Sequence, residues 1–324
     1  MYTREQAIEI MNNWGMQHIP FLFIIDFEMR AIRLFRTDLE IPESIWYTFP
    51  LTGVYNPHLE KSNDIFFRKY PIPFSIYQQS FNKVLKQIKT GNSFLLNLTM
   101  PTRIETNLSL QEIYLQSQSK YKLLVDTEFV CFSPETFITI TNGLITSCPM
   151  KGTIKASVSG AAEIVLNDPK ETAEHHTIVD LIRNDLSMVA ADVIVKRFRY
   201  IERIITHEGD ILQVSSEISG KLPSDYENHM GTIIFTLLPA GSVTGAPKQK
   251  TIEIIRQVEG NPRGYYTGIF GRFDGKNLDS AVLIRFIEKK NNELWFRSGG
   301  GITHLSDPEC EYNELIDKAY VPIT

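Results

Sequence analysis

Cysteine is scarce in this chain of 324 residues. Cys131, Cys148 and Cys310 show no C-x-x-C spacing, and three thiols cannot all pair. This is the pattern of unpaired, buried thiols in a reducing cytoplasm. Long apolar runs are also missing. The longest, "IPFLFII" (Ile19–Ile25), is far too short to span a bilayer, and "MYTREQAIEI" lacks the basic head and apolar stretch of a signal peptide. Positive charge is not in excess: the net charge is −5, and no Lys/Arg stripe with interleaved aromatics appears. We therefore expect no membrane and no nucleic acid as partners. There is no repeat and no linker, and the Pro-rich "YPIPF" (Tyr70–Phe74) is the nearest thing to a boundary. No G-x-G-x-x-G opens a helix after a strand, "GSVTGAPK" lacks P-loop spacing, and no H-E-x-x-H is present.

What is present alternates between two periods. "PFLFIIDFEMRAIRLF" reads as two strands around a turn near Glu28–Arg30. In "SIYQQSFNKVLKQIKTG", Ile76, Phe81, Val84, Leu85 and Ile88 recur at helical spacing, and Gly91 supplies a stop. "SFLLNLTMPTRIE" reads as a strand, and "EFVCFSPETFITITNGLITSCPM" as strands joined by an Asn142–Gly143 hairpin. "DPKETAEHHTIVDLIRNDLSMVAAD" is the best helix, with Ile178, Ile182, Leu186 and Val189 as its apolar stripe. A helix "KQKTIEIIRQV" follows the loop "AGSVTGAP". "GYYTGIFGRFD", "SAVLIRFIEKK" and "ELWFRSGGGI" read as strands, and a last helix begins after Asp307 with Pro308 in its first turn. With 43% hydrophobic residues and many hairpin-linked strands, this is an α+β fold with large, mainly antiparallel sheets.

Two helices carry acidic pairs. Glu171 and Glu174 are three apart, as are Glu311 and Glu314, with Lys318 extending the second face. Four residues advance a helix by about 400°, so Glu174 lies about 40° from Ile178 and continues the buried stripe. Two such pairs meeting over one cation would offer oxygen ligands alone, which suits Mg²⁺ or Mn²⁺. Solvated charge on two surface helices gives the same spacing. His175 and His176 are adjacent, so their side chains diverge by about 100° and make a poor zinc pair. The glycines of "SGGG" (Ser298–Gly301) either let backbone N–H groups approach a carboxylate or form a flexible turn into the last helix. Arg285, flanked by aliphatics, wants a carboxylate partner. Tyr266 fits a core position, and Glu135, after Pro134, fits either a turn or an acid of raised pKa.

In order along the chain, "SPE", "PMKGT", "ETAEHHTIVDLIRNDL", "GSVTGAPK", "RGYYTG", "SGGGI" and "DPECEYNELIDKA" resemble the chorismate-utilising enzymes. That family includes anthranilate, isochorismate, salicylate and aminodeoxychorismate synthases. The resemblance covers roughly Ser75 to Ala319. It implies a single domain over 1–324, with two large antiparallel sheets stacked face to face, helices outside, and residues 1–70 as a shortened N-terminal part of the sandwich. It implies Mg²⁺ held by Glu174 and Glu314, with Glu171 and Glu311 close by, bridging to the ring carboxylate of chorismate. Arg285, Tyr266 and backbone groups at Gly299 and Gly301 match positions that hold the enolpyruvyl carboxylate. Gly152, Thr153, Ser242 and Lys318 match other substrate-contacting positions.

Lys151 selects a branch of that family. Anthranilate synthases carry alanine at this point, whereas aminodeoxychorismate synthases carry a lysine that attacks the ring. Glu135 corresponds to the acid that protonates the departing hydroxyl. A lysine nucleophile must be neutral, and desolvation with a nearby Mg²⁺ is expected to lower its pKa. The resemblance thus implies component I of aminodeoxychorismate synthase, with ammonia from a separate glutamine amidotransferase subunit and a separate lyase to release pyruvate. Anthranilate synthase component I and a non-catalytic chorismate-binding protein are the rivals. Two residues depart from the pattern. Leu95 stands where isochorismate synthases have a water-activating lysine and most amidotransferring relatives have glutamine; Gln213 stands where many relatives have histidine. The short N-terminal region implies no tryptophan feedback.

Overall fold

A computed structural model of the chain describes residues 1–51, 53–55, 65–204 and 210–321. Its organisation explains why strand Phe21–Ile25 contains no polar residue: both faces are covered. Phe21, Phe23 and Ile25 point towards an outer layer of helices, while Leu22 and Ile24 point towards a second sheet.

The first sheet runs, in spatial order, Met150–Lys155, Ile211–Lys221, Leu144–Ser147, Thr136–Thr141, Leu278–Val282, Ile269–Phe273, Phe21–Ile25 and Ile32–Arg36, with Ala191–Ile204 paired to Ile211–Lys221. The second runs Gly245–Ala246, Leu95–Thr106, Glu293–Ile302, Phe286–Lys290, Phe129–Ser133, Tyr121–Val125, Ile45–Phe49 and Gly53–Tyr55, with Phe67–Tyr70 paired to Leu95–Thr106. Every pairing among the described residues is antiparallel. Tyr47, Phe49, Phe129, Phe270 and Phe286 fill the space between the sheets. Helices Arg4–Met16, Pro169–Ser187 and Met230–Leu237 cover the first sheet, and Phe74–Lys89, Lys248–Glu259 and Pro308–Asp317 cover the second. The expected single α+β domain of two stacked antiparallel sheets is what forms.

Two segments pass from one sheet to the other, side by side. Phe129–Ser133 lies in the second sheet and Thr136–Thr141 in the first, so Pro134 and Glu135 make the crossing. The run "SAVLIRFIEKK", read above as one strand, is two: Leu278–Val282 in the first sheet and Phe286–Lys290 in the second. Arg285 sits at this break with φ +53°. The amide of Phe132 donates to Arg285 O (3.1 Å) and that of Val282 to Glu135 O (3.2 Å), which ties the crossings together.

Other sequence readings need correction. "GYYTG" is a turn, and its strand starts only at Ile269. Helix Arg4–Met16, not expected from its pattern, is capped by a Thr3/Gln6 box and packs on Met230–Leu237. Ile76 is 50% exposed; Tyr77 takes its place against Tyr312. Of the three free thiols, Cys131 is buried as expected, but Cys148 is half-buried and Cys310 is exposed. No helix among the described residues is long and apolar enough to cross a membrane.

Candidate active site

Helix Pro169–Ser187 starts on Asp168, whose side chain accepts from the Glu171 amide at 2.8 Å, with proline at the first helical position. This start sets the register that buries Glu174, Ile178, Ile182 and Leu186 on one face. Helix Pro308–Asp317 repeats the device with Asp307, which accepts from Glu309 and Cys310. The two helices belong to opposite outer layers, yet their four carboxylates converge on one ammonium. Lys170 Nζ lies 2.7 Å from Glu311, 3.5 Å from Glu174, 3.6 Å from Glu314 and 3.8 Å from Glu171.

The glycine run explains how the acids fit. Gly299, Gly300 and Gly301 are not a turn: they lie within strand Glu293–Ile302, paired to Leu95–Thr106. A Cβ on Gly301 would stand 2.6 Å from Glu174 Oε2, and one on Gly300 3.1 Å from Glu311 Oε2. Their missing side chains make room for carboxylates. Lys318 closes this side, donating to Glu314 at 2.6 Å and to the Gly299 carbonyl at 2.9 Å. The Gly299 group that is engaged here is thus its carbonyl.

Lys151 enters from the first sheet. Strand Met150–Lys155 loses register against Ile211–Lys221 between Met150 and Thr153, and Gly152 has φ +80°. The irregularity explains the glycine after the lysine. It turns Lys151 inward, 19% exposed, with Nζ 3.2 Å from Glu174 Oε2. Burial alone would push this ammonium's pKa down, but Glu174 and Glu171 outweigh it and hold the group above its ordinary value. The expected lowering is therefore not found while Glu174 is free to pair with it. Lys170 is likewise pushed down by burial and then well up by Glu174, Glu314 and Glu311.

Glu135, at the sheet crossing, is 8% exposed and accepts a very short hydrogen bond from the Ser242 hydroxyl. Burial pushes it above the ordinary carboxylate range, against the pull of Ser242, Lys151, Lys318 and Arg285. Burial raises Glu171 and Glu311 as well. Burial also works against ionising Glu314, but Lys318 and Lys170 reverse this and hold it at about 2. Half-buried Arg285 has no carboxylate partner among the described residues; its guanidinium lies 5.3 Å from the Tyr320 ring. Tyr266, 3% exposed, packs on Phe286 between the sheets, and burial pushes its hydroxyl up to about 12.

Other expected residues stand apart. The exposed Thr153 is tied to the group only through its strand, where it faces Gln213. Buried Gln213 lies 3.4 Å from Ser215 Oγ. Leu95 presents Cδ1 3.0 Å from where a Gly301 Cβ would be, a dry wall beside Glu174. His175 is buried against Ser216 (2.6 Å), with burial lowering its pKa to about 4, while His176 points out to Phe198, so the pair holds nothing jointly. Sequence reasoning missed Lys170, although it stands four residues before Glu174 and hence on the same helical face.

As they stand, no three acids among the described residues close tightly enough to hold an ion. The donors nevertheless suit a hard divalent cation. All are carboxylates, and Glu174 Oε1 and Glu311 Oε2 lack a hydrogen-bond partner although each residue is only 2% exposed.

A two-sheet sandwich thus brings together an acid cluster, a half-buried lysine and, at a sheet crossing, a carboxyl that burial holds above its ordinary range, groups suited to acid–base chemistry. The chain belongs to the family of chorismate binding enzymes, matching it over residues 40–324. It is 50% identical over 322 residues to an "Uncharacterized PabA-like protein" of Haemophilus influenzae, covering 99% of this chain and 98% of that one. It is 33% identical to anthranilate synthase component 1 of Acetivibrio thermocellus (73% of this chain, 50% of that one). It is 31% identical to aminodeoxychorismate synthase component 1 of Bacillus subtilis (75% and 54%).

Proposed function

We propose that the protein aminates chorismate with ammonia to 4-amino-4-deoxychorismate, as component I of an aminodeoxychorismate synthase on the p-aminobenzoate and folate route. Overall identity does not choose between the two named enzymes, at 33% and 31%. The observation that carries the choice is Lys151, half-buried, turned inward and 3.2 Å from Glu174. A lysine turned into the acid cluster and away from bulk solvent supports the reading of Lys151 as the nucleophile.

In this reading Arg285 and Tyr266 take the enolpyruvyl carboxylate, since the guanidinium lacks an internal partner. Gly152, Thr153, Ser242, Lys318 and the backbone at Gly299 and Gly301 line the rest of the site. Glu174 and Glu314, with Glu171 and Glu311, hold Mg²⁺, which when bound supplies positive charge for the ring carboxylate. Lys151, an ammonium while it pairs with Glu174, first loses its proton to solvent; the free amine then forms a C–N bond at ring C2, the double bond shifts, and the C4–O bond breaks. Glu135, whose pKa burial raises, gives its proton to the leaving hydroxyl. Ammonia then bonds to C4, the double bond returns, the Lys151 amine leaves C2, and the new C4 ammonium gives its extra proton back to Glu135. A partner glutamine amidotransferase supplies the ammonia.

The test is purified protein with chorismate, ammonium and Mg²⁺, the product being identified by mass with and without an added lyase. Lys151→Ala is expected to abolish aminodeoxychorismate formation while chorismate and Mg²⁺ binding stay measurable. Undiminished product from that variant ends the nucleophile assignment. Anthranilate synthesis is the second reading, since the match to the Acetivibrio enzyme is about as strong as that to the Bacillus one. Anthranilate fluorescence without any lyase would establish it instead.

A further inference from the structure

Lys170 takes no part in the chemistry above, yet its ammonium fills the middle of the acid cluster. It touches carboxylates of both helices, at 2.7 Å from Glu311 and 3.5 Å from Glu174. One ammonium has three N–H donors and cannot satisfy four carboxylates. Glu174 Oε1 and Glu311 Oε2, both on residues 2% exposed, are left without a hydrogen bond. A divalent cation wants those same oxygens at about 2.0–2.1 Å and in octahedral array. It cannot share the space with an ammonium of like charge.

We propose that Lys170 is a built-in stand-in for the divalent cation: it holds the acid site together without metal and swings out when the metal enters. The side chain has a way out. It is 25% exposed, and it leaves the helix in its first turn, next to Pro169. Lysine's long, flexible stem suits such a movement, whereas a rigid bidentate arginine would not. Displacement also makes metal entry competitive. The apparent metal affinity is reduced by the fraction of molecules in which Lys170 is already out, so a site shut in about 90% of molecules loses about tenfold. The inference rests on reading the cluster as a divalent-cation site.

The test uses the whole protein and Mg²⁺ alone, titrated by calorimetry into the wild type and Lys170→Met, which keeps the length and removes the charge. Lys170→Met is expected to bind Mg²⁺ about tenfold more tightly or better. Independently of any variant, reaction of Lys170 with an amine-modifying reagent, followed by peptide mass, is expected to rise when Mg²⁺ is added to the wild type. Equal affinity in both proteins together with Mg²⁺-independent labelling overturns the stand-in and leaves the metal site intact. Absence of Mg²⁺ binding to either protein overturns the metal site and the stand-in with it.

Discussion

Glu135 and Gly301 show how single residues carry the site. Glu135 is raised by burial, so its folded pKa lies above the unfolded value, for which 4.5 is ordinary. Such a group favours folding fully below the unfolded pKa, and the advantage is lost as pH rises through the folded one. Glu135→Gln removes the buried charge and keeps an acceptor for Ser242. The variant is expected to melt about 1–3 °C above the wild type at pH 8, with the gain fading as pH falls towards 4.5. Its turnover should fall about 10²–10⁴-fold with the lost proton donor. Thermal scans at several pH values and steady-state kinetics check both; a variant that melts lower at pH 8 contradicts the assignment. Gly301→Ala puts a methyl 2.6 Å from Glu174 Oε2, so the carboxylate must move. Mg²⁺ affinity is expected to drop about 10–100-fold, the loss seen when a ligand's support is disturbed. Unchanged calorimetric affinity would place the metal elsewhere.

Among elements, the N-terminal helix Arg4–Met16 is the one least visible in the pattern. It is amphipathic only weakly, and it is held by close backbone approach: a Cβ on Gly231 would lie 2.5 Å from Ile8 O, and one on Gly15 2.2 Å from Glu227 O. Neither gap can open without separating helix Met230–Leu237 from its neighbour. Gly231→Ala is expected to destabilise the protein by about 1–3 kcal/mol in urea unfolding. A change below about 0.5 kcal/mol, the range of ordinary surface substitutions, would mean that the helices slide freely past one another. The elements that were legible have strong local signals. Helix Pro169–Ser187 shows a cap, a proline and a stripe; the 141–144 hairpin shows Asn142 and Gly143 at φ +51° and +74°. The sheet crossing at 283–285 shows none, because a continuous apolar run looks the same whether or not it changes sheets.

At the scale of the molecule, the acid cluster joins the outer layer of one sheet to that of the other. A cation there binds the folded protein and not the unfolded chain, so its binding energy adds to the folding energy. Mg²⁺ at about 100 times its dissociation constant is expected to stabilise the protein by about 2.7 kcal/mol, reversed by EDTA. Calorimetric scans check this, and a melting temperature indifferent to Mg²⁺ counts against a bridging site. By itself the sequence determined the chemistry available: which helical faces carry Glu171, Glu174, Glu311 and Glu314, the lysine in "PMKGT", and the alternating strands of a sandwich. These are local properties, set by side-chain type and by periods of 3.6 and 2. Only the tertiary structure decided that Lys170 stands among all four acids, that Glu174 pairs with Lys151 and keeps it charged, and that Glu135 and Arg285 face each other's strands at a crossing. Those relations depend on contacts between separate elements, 23 positions apart for Lys151 and Glu174 and 141 for Lys170 and Glu311. The free energy of such contacts is set by burial and by neighbouring charge, which no short stretch of sequence contains.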